Sequence, residues 1–336
     1  MINVRQSVRG RPRIIDSQAV REALPEQMTA LSSLPRVMVD YLSFYGLAPM
    51  ARRYGYAAGR LLLSDAELVV QSFCQPQGNA PRALLVHGYM DHAALTGPLA
   101  EFLLQSGCDV SLYDLPGHGL SRGRPYEVDN FFKYTDQLGA LVKRMLSEDE
   151  RPLTLIGHST GGAIITTLLL REPALLDQSL TRPVLLAPLV RPTHWPSIRR
   201  KYRWLGFWLR RVRRIYQANS HDPAFVEFIR SRDPLQHPWI SVRWIGAMLR
   251  WIEWVEHQPA SPARPLIIQG CDDDTVEWRH NLAVLQRLFP RSEQLCIDGA
   301  RHNLINEGAA WRDPAFRAIG QLLRAETETP GALAGR

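Results

Sequence analysis

Gly157-His158-Ser159-Thr160-Gly161 sets a serine between glycines two places on either side, after an apolar run at 153–156 and before another at 162–170. This pattern suits a nucleophile carried on a tight strand-to-helix turn, because the crowding there tolerates only small flanking residues. The helix that begins beneath the serine would offer free N–H groups and a positive dipole end to a developing oxyanion. The competing reading is a glycine turn without chemistry, and the strand-like and helix-like flanks argue against it.

A serine hydroxyl is a weak nucleophile unless a base takes its proton and a third group holds that base in the right tautomer. Of the ten histidines, His302 in Gly299-Ala300-Arg301-His302 is the candidate base. It follows the last strand-like segment and gives the chain order serine, acid, histidine. His118, in a turn, and His158, beside the serine, are its rivals, whereas His87 reads as a loop-fixing residue at a strand end. The acid belongs to Gly270-Cys271-Asp272-Asp273-Asp274-Thr275-Val276. Asp273 is the choice there, with Asp272 and Asp274 left as alternatives, since two of the three would cap the next helix or face solvent. His87-Gly88-Tyr89-Met90 follows a buried strand-like run, so the backbone N–H groups of Tyr89 and Thr160 form the expected oxyanion hole. Losing one such donor typically costs about 100- to 1000-fold in rate.

These residues need a scaffold that delivers them to one edge. Short β-prone stretches at 60–63 and 67–74 suit a hairpin around Ser64-Asp65, and a buried strand follows at 82–87. Helix and strand then alternate: helices at 95–106, 130–146 and 161–171, strands at 109–113, 153–157 and 183–187. The alternation stops near Val190 for some seventy residues and resumes with strands at 265–270 and 293–297, helices at 281–289 and 309–323. Strands apolar on both faces imply a mostly parallel, doubly wound α/β sheet covered by helices on each side. The expected organisation is an N-terminal helical extension at 1–59, a core at 60–190 and 261–325, an insertion at 191–260 and a disordered tail at 326–336.

The chain has 336 residues, 45% hydrophobic, ample for one sizeable core. Its four cysteines, Cys74, Cys108, Cys271 and Cys296, show neither zinc-site nor disulfide spacing, so reduced and mostly buried thiols are expected. Arg5, Arg9, Arg11 and Arg13 lack the apolar stretch a secretory signal needs, and no run approaches the length of a spanning helix. A cytoplasmic protein is expected, with peripheral contact at the inner membrane face open. No metal and no organic cofactor are implied.

The chain resembles the monoacylglycerol lipase and lysophospholipase branch of the α/β-hydrolases, grouped also with serine aminopeptidases. The matching segments are His87-Gly-Tyr-Met-Asp-His92, Tyr113-Asp-Leu-Pro-Gly-His-Gly-Leu-Ser121 with Gly123, Gly157-His-Ser-Thr-Gly-Gly162, Gly270 to Val276 and Gly299 to His302. The resemblance implies an α/β-hydrolase fold with a helical lid, no cofactor, and ester hydrolysis by Ser159, Asp273 and His302. It selects Asp273 by its place three residues after the glycine and three before the valine. It puts the oxyanion donors at Tyr89 and Thr160, and it makes Asp114, Gly117, His118, Gly119 and Ser121 a structural loop. Thr160 departs from the methionine common at that place, and the first sixty residues have no counterpart.

The insertion holds thirteen Lys or Arg against five Asp or Glu, a net of +8 where the whole chain carries +7, and seven of the nine tryptophans. Trp204, Trp208, Arg211 and Ile215 recur at helical spacing, as do Trp244, Met248, Trp251 and Val255, so two amphipathic helices are expected. Their apolar faces pack on the core, or part of the Arg/Trp surface meets an anionic membrane; the sequence leaves both open. The expected substrate is a small-molecule or lipid ester, monoacylglycerol or lysophospholipid. Thioester or amide cleavage on the same triad and a non-catalytic lipid-binding module are the alternatives. Nucleic-acid binding is set aside because the arginines are interleaved with tryptophan.

Overall fold

The computed structural model describes residues 15–177 and 180–328. The N-terminal arginines, and the expected tail beyond 328, lie outside them.

The chain starts with α1 (Ser17–Glu22), whose first N–H groups at Gln18 and Ala19 donate to the Asp16 carboxylate. A short β1 (Thr29–Ala30), α2 (Arg36–Phe44) and α3 (Ala48–Arg53) follow. The hairpin β2 (Gly55–Leu63) and β3 (Ala66–Cys74) turns at Ser64, whose φ of 55° is left-handed. The alternating part comprises β4 (Arg82–Val86), α4 (Gly97–Gln105), β5 (Asp109–Tyr113), α5 (Phe132–Glu148), β6 (Leu153–His158), α6 (Thr160–Arg171) and β7 (Val184–Leu186). The chain then leaves the sheet for α7 (Trp195–Leu205), β8 (Arg211–Arg213), α8 (Pro223–Glu227), β9 (Trp239–Ser241) and α9 (Val242–Glu256). It returns as β10 (Leu266–Gly270), α10 (Trp278–Leu288), β11 (Glu293–Ile297) and α11 (Ala309–Glu328).

Nine strands form one sheet in the order β1-β2-β3-β5-β4-β6-β7-β10-β11. From β5 to β11 every neighbouring pair is parallel, and the β1–β2–β3 edge is antiparallel. Every residue of β4, β6 and β10 is buried, as strands covered on both faces require. One apolar cluster packs α2, α4 and α11 on the first face through Tyr41, Leu99, Leu103 and Ile319. A second packs α5, α6, α9 and α10 on the other through Leu138, Ile165, Trp251 and Leu285. The doubly wound, mostly parallel sheet read from the alternation is therefore present. Its C-terminal edge carries the turns after β4, β6, β10 and β11, where the candidate site residues stand.

Four local expectations change. Residues 15–59 are not all helical: Thr29–Ala30 pairs with Ala57–Ala58, and β2 begins at Gly55 because its partner β3 supplies a nine-residue ladder. The helix expected through Trp204, Trp208, Arg211 and Ile215 ends at Leu205, and Arg211–Arg213 pairs instead with Trp239–Ser241. By contrast, Trp244, Met248, Trp251 and Val255 lie buried on α9, with Trp251 Nε1 donating to Thr167 Oγ1 at 2.8 Å. Of the cysteines only Cys108 is buried; Cys74 and Cys271 are half-buried and Cys296 is exposed. The last helix continues to Glu328, past the expected start of the tail.

Candidate active site

Ser159 occupies the turn between β6 and α6 with φ 52° and ψ −113°. A non-glycine residue held there stores on the order of 1–3 kcal/mol of strain, tolerated only where the surroundings over-determine it. They do: a Cβ on Gly157 would lie 2.5 Å from Gly161 C, and one on Gly161 would lie 2.1 Å from Val86 O. Both glycines are therefore steric requirements of the turn. The Ser159 N–H donates to Leu186 O at 2.9 Å, and its carbonyl accepts from Ala163 and Leu189, each at 3.1 Å.

His302, on the loop between β11 and α11, meets the serine from the side. Its Nε2 lies 2.9 Å from Ser159 Oγ, and its Nδ1 lies 2.7 Å from Asp273 Oδ2. A carboxylate accepts only, so Nδ1 carries the proton and Nε2 is left as acceptor for the serine hydroxyl. Asp273 is itself fixed: Oδ2 also accepts from Gln269 Nε2 at 2.9 Å, and Oδ1 accepts from the N–H groups of Thr275 at 2.8 Å and Val276 at 3.1 Å. Burial pulls the His302 pKa down, but the charge and hydrogen bond of Asp273 outweigh it and hold the imidazole above its ordinary value. Burial likewise disfavours the Asp273 anion, and His302 with the other donors holds that carboxyl below its ordinary value.

The other candidates have other partners. Asp272 and Asp274 are exposed, and the carbonyl of Asp274 accepts from Thr193 Oγ1 at 2.8 Å. His118 is buried against Tyr126, 4.4 Å between ring centres, with Nδ1 donating to Pro116 O at 3.0 Å; burial pushes its pKa down to about 3. His158 Nε2 donates to His302 O at 3.0 Å, while its Nδ1 is 3.6 Å from Asp91. His87 donates from Nδ1 to Gly88 O at 2.8 Å and accepts at Nε2 from Leu115 N–H at 3.0 Å, tying the turn after β4 to the loop after β5. Asp114 organises that loop, accepting from the N–H groups of Ala93 at 2.7 Å and Leu120 at 2.9 Å.

On the side expected to hold the oxyanion, a Cβ on Gly88 would stand 3.2 Å from Ser159 Cβ, so the peptide leading to Tyr89 runs beside Ser159. The Tyr89 ring stacks on Trp244 of α9 at 3.7 Å, and its hydroxyl donates to Tyr126 O at 2.8 Å. Neither the Tyr89 nor the Thr160 N–H donates to a protein acceptor among the described residues. Among those residues no group of three or more His, Cys, Asp or Glu could hold a metal ion.

Residues 77–309 match the family model described as serine aminopeptidase, S33. The chain belongs to this family. It is similar to phospholipase YtpA of Bacillus subtilis, 24% identical over 70% of this chain and 92% of that protein. It is also 29% identical to the monoglyceride lipase of Rattus norvegicus over 39% of this chain, a match spanning 42% of the lipase's length. Among solved structures, a soluble variant of monoglyceride lipase from Saccharomyces cerevisiae superposes with a TM-score of 0.68 at 21% identity, covering 79% of this chain and 93% of that one. The fold is that of the α/β-hydrolases, and the protein is a hydrolase of the lipase/esterase type.

Two groups around the site were given no role by the sequence, although Asp91 lies within the matching segment 87–92. Asp91 stands against His158, and the buried carboxylate of Glu307 gathers the N–H groups of Arg301 and His221. Both act through tertiary partners, and isolated carboxylates in loop segments look like solvated residues until those partners are known.

Proposed function

We propose that this hydrolase is a serine esterase cleaving a single-chain lipid ester, a monoacylglycerol or lysophospholipid, through an acyl-enzyme on Ser159. The observation that carries this reading is the continuous relay from Ser159 Oγ to His302 Nε2, 2.9 Å, and from His302 Nδ1 to Asp273, 2.7 Å. His302 takes the hydroxyl proton as Ser159 Oγ adds to the ester carbonyl, and Asp273 stabilises the imidazolium. The N–H groups of Tyr89 and Thr160 hold the oxyanion. Collapse expels the alcohol with the proton from His302, and water, activated by the same base, then releases the fatty acid. The similarity to a phospholipase and a monoglyceride lipase supports a lipid ester as substrate.

The segment between β7 and β10 acts in this scheme as a lid whose outer tip meets an anionic membrane. Phe207 is 92% and Trp208 78% exposed, and they are surrounded in sequence by Arg199, Arg200, Lys201, Arg203, Arg210, Arg211, Arg213 and Arg214. Interfacial aromatics with a basic rim suit the headgroup region of an anionic leaflet. No helix among the described residues is long and apolar enough to cross a membrane, so the contact proposed is peripheral.

A fluorophosphonate probe should label the protein and fail to label Ser159→Ala; equal labelling of both ends the mechanism. Lysophospholipids and p-nitrophenyl esters of graded chain length then test the substrate. Sedimentation at low salt with vesicles of phosphatidylglycerol against phosphatidylcholine tests the tip. Anionic preference weakened in the double variant Phe207→Ser and Trp208→Ser is expected, and equal binding to both vesicles rejects it.

A further inference from the structure

His302 is gripped through both its neighbours. The Arg301 N–H donates to Glu307 Oε1 at 2.8 Å, and the Asn303 N–H donates to Asn219 O at 2.9 Å. Glu307 is 1% exposed, and its carboxylate is filled from the other side as well. Oε1 accepts from His221 Nδ1 at 2.9 Å, and Oε2 accepts from the N–H groups of His221 at 2.7 Å and Gly308 at 2.9 Å. Ser220 Oγ donates to Asn306 O at 2.7 Å, the Arg301 guanidinium reaches Ala218 O at 3.2 Å, and the His221 ring stacks on Trp311 at 4.0 Å. Residues 218–221 are thus bolted along the loop that bears the base. They follow Ile215 and Tyr216 after one residue, and Ile215 is 84% exposed.

Burial alone would disfavour the Glu307 anion, yet its donors hold the carboxyl below its ordinary value, so it stays charged and every bond is charge-assisted. A carboxylate spent in this way orders backbone on two segments at once. Nothing in the ester chemistry requires it, since it touches neither Ser159 nor Asp273.

Taking His302 as the base of the reaction above, we propose that Glu307 is a positioning residue for it. Its carboxylate sets residues 301–303 in register against residues 218–221. The seating of that segment, which continues from the exposed tip, then decides whether the imidazole stands in line between Ser159 and Asp273.

Glu307→Gln keeps the volume but turns an amide N–H toward donors, pushing the loop from its register. A shift of about 1 Å in a catalytic group costs on the order of 100-fold, so kcat should fall about 10- to 100-fold with KM within about twofold. Fluorophosphonate labelling of Ser159 should slow by the same factor, and the downfield proton signal of the His302–Asp273 hydrogen bond should broaden. Glu307→Asp, which keeps the charge, should recover part of the rate. His221→Ala removes one side-chain donor at a partly exposed site and should give a smaller loss in kcat, which serves if Glu307→Gln does not fold. Folded Glu307→Gln, or folded His221→Ala where the first is insoluble, with native kcat and an unchanged proton signal overturns the proposal, whatever its melting temperature. The two readings fail separately: an unlabelled native protein sinks the esterase, whereas a labelled native protein with equally fast variants sinks only the role of Glu307.

Discussion

Replacing Asp273 by Asn exchanges an oxygen for an NH2, and the geometry around it converts that exchange into a change of tautomer. Oδ1 serves two backbone donors, Thr275 N–H at 2.8 Å and Val276 N–H at 3.1 Å, while Oδ2 serves His302 Nδ1 at 2.7 Å and Gln269 Nε2 at 2.9 Å. The backbone donors cannot turn away, so the Asn carbonyl must face them and its NH2 must face His302. Imidazole opposite a donor leaves Nδ1 bare and carries its proton on Nε2, where it donates to Ser159 instead of accepting from it. Only the minor tautomer then works as base. A wrong-tautomer substitution of this kind costs about 10⁴-fold in kcat, or about 5.5 kcal/mol of transition-state stabilisation. The pH profile gives an independent sign. In the native protein Asp273 outweighs burial and holds the His302 pKa above its ordinary value, so the acid limb of kcat/KM should lie above about 6.5. In Asp273→Asn burial is left unopposed by that charge, and the limb should move to lower pH. Hydrolysis of a soluble p-nitrophenyl ester, followed across the pH range for both proteins, measures both quantities. Asp272→Asn and Asp274→Asn, at exposed positions, should stay near the native rate. A limb that moves upward in Asp273→Asn, or a greater loss in Asp272→Asn, would refute the reasoning.

Three further outcomes concern stability. Gly161→Ala drives a methyl to 2.1 Å from Val86 O, a backbone atom, and should cost more than about 3 kcal/mol in urea unfolding or leave no folded protein. Trp251→Ala empties a fully buried site between α9 and Phe131 and removes the donor to Thr167, so a loss of about 3–5 kcal/mol is expected by the same measurement. Asp233→Asn breaks the fully buried pair with His92, 3.0 Å apart, which typically costs about 3–5 kcal/mol. Burial pushes both members of that pair toward neutrality, but their mutual attraction wins, lowering the Asp233 pKa and raising that of His92. The Asp233 contribution is present above the unfolded carboxyl value and lost as pH falls through the folded one. The His92 contribution is present below the unfolded imidazole value and lost as pH rises through the folded one. The pair should therefore stabilise the native protein most between about pH 4 and 6.5, and the loss in Asp233→Asn, measured as urea midpoints at several pH values, should be greatest in that window.

The elements that carry the site were legible because their requirements are local. Ser159 needs small neighbours on a strand-to-helix turn, and Gly157 and Gly161 report that crowding in the sequence itself. A buried parallel strand such as β4 or β10 shows as a short apolar run, Ala83 to Val86 or Leu266 to Ile268, since both its faces are covered. The choice among Asp272, Asp273 and Asp274 was different in kind. Three adjacent carboxylates are alike until Gln269, Thr275 and Val276 fold around one of them, so the residues alone favoured Asp273 with Asp272 and Asp274 as alternatives, and the resemblance then selected it.

Where the reading failed, periodicity was asked for more than it holds. Trp204, Trp208 and Ile215 repeat at helical spacing, yet they are 69%, 78% and 84% exposed. A helix through them would have gained nothing by burying a stripe, because no core lies on that side to receive it. Residues 211–213 therefore took the ladder offered by 239–241, whose backbone hydrogen bonds need no buried face. The Trp244, Met248, Trp251 and Val255 stripe has the same rhythm and did form a helix, since α5 and α6 present Phe131 and Thr167 to it. The two patterns share one spacing, although Arg211 stands in the first where Trp251 stands in the second, and they are opposite as structure. What separates them is the presence of a packing partner, so an apolar rhythm whose residues stay exposed after folding points to a partner outside the chain. For the Phe207–Trp208 tip with its flanking arginines, the anionic lipid surface proposed above would satisfy both the apolar area and the charge.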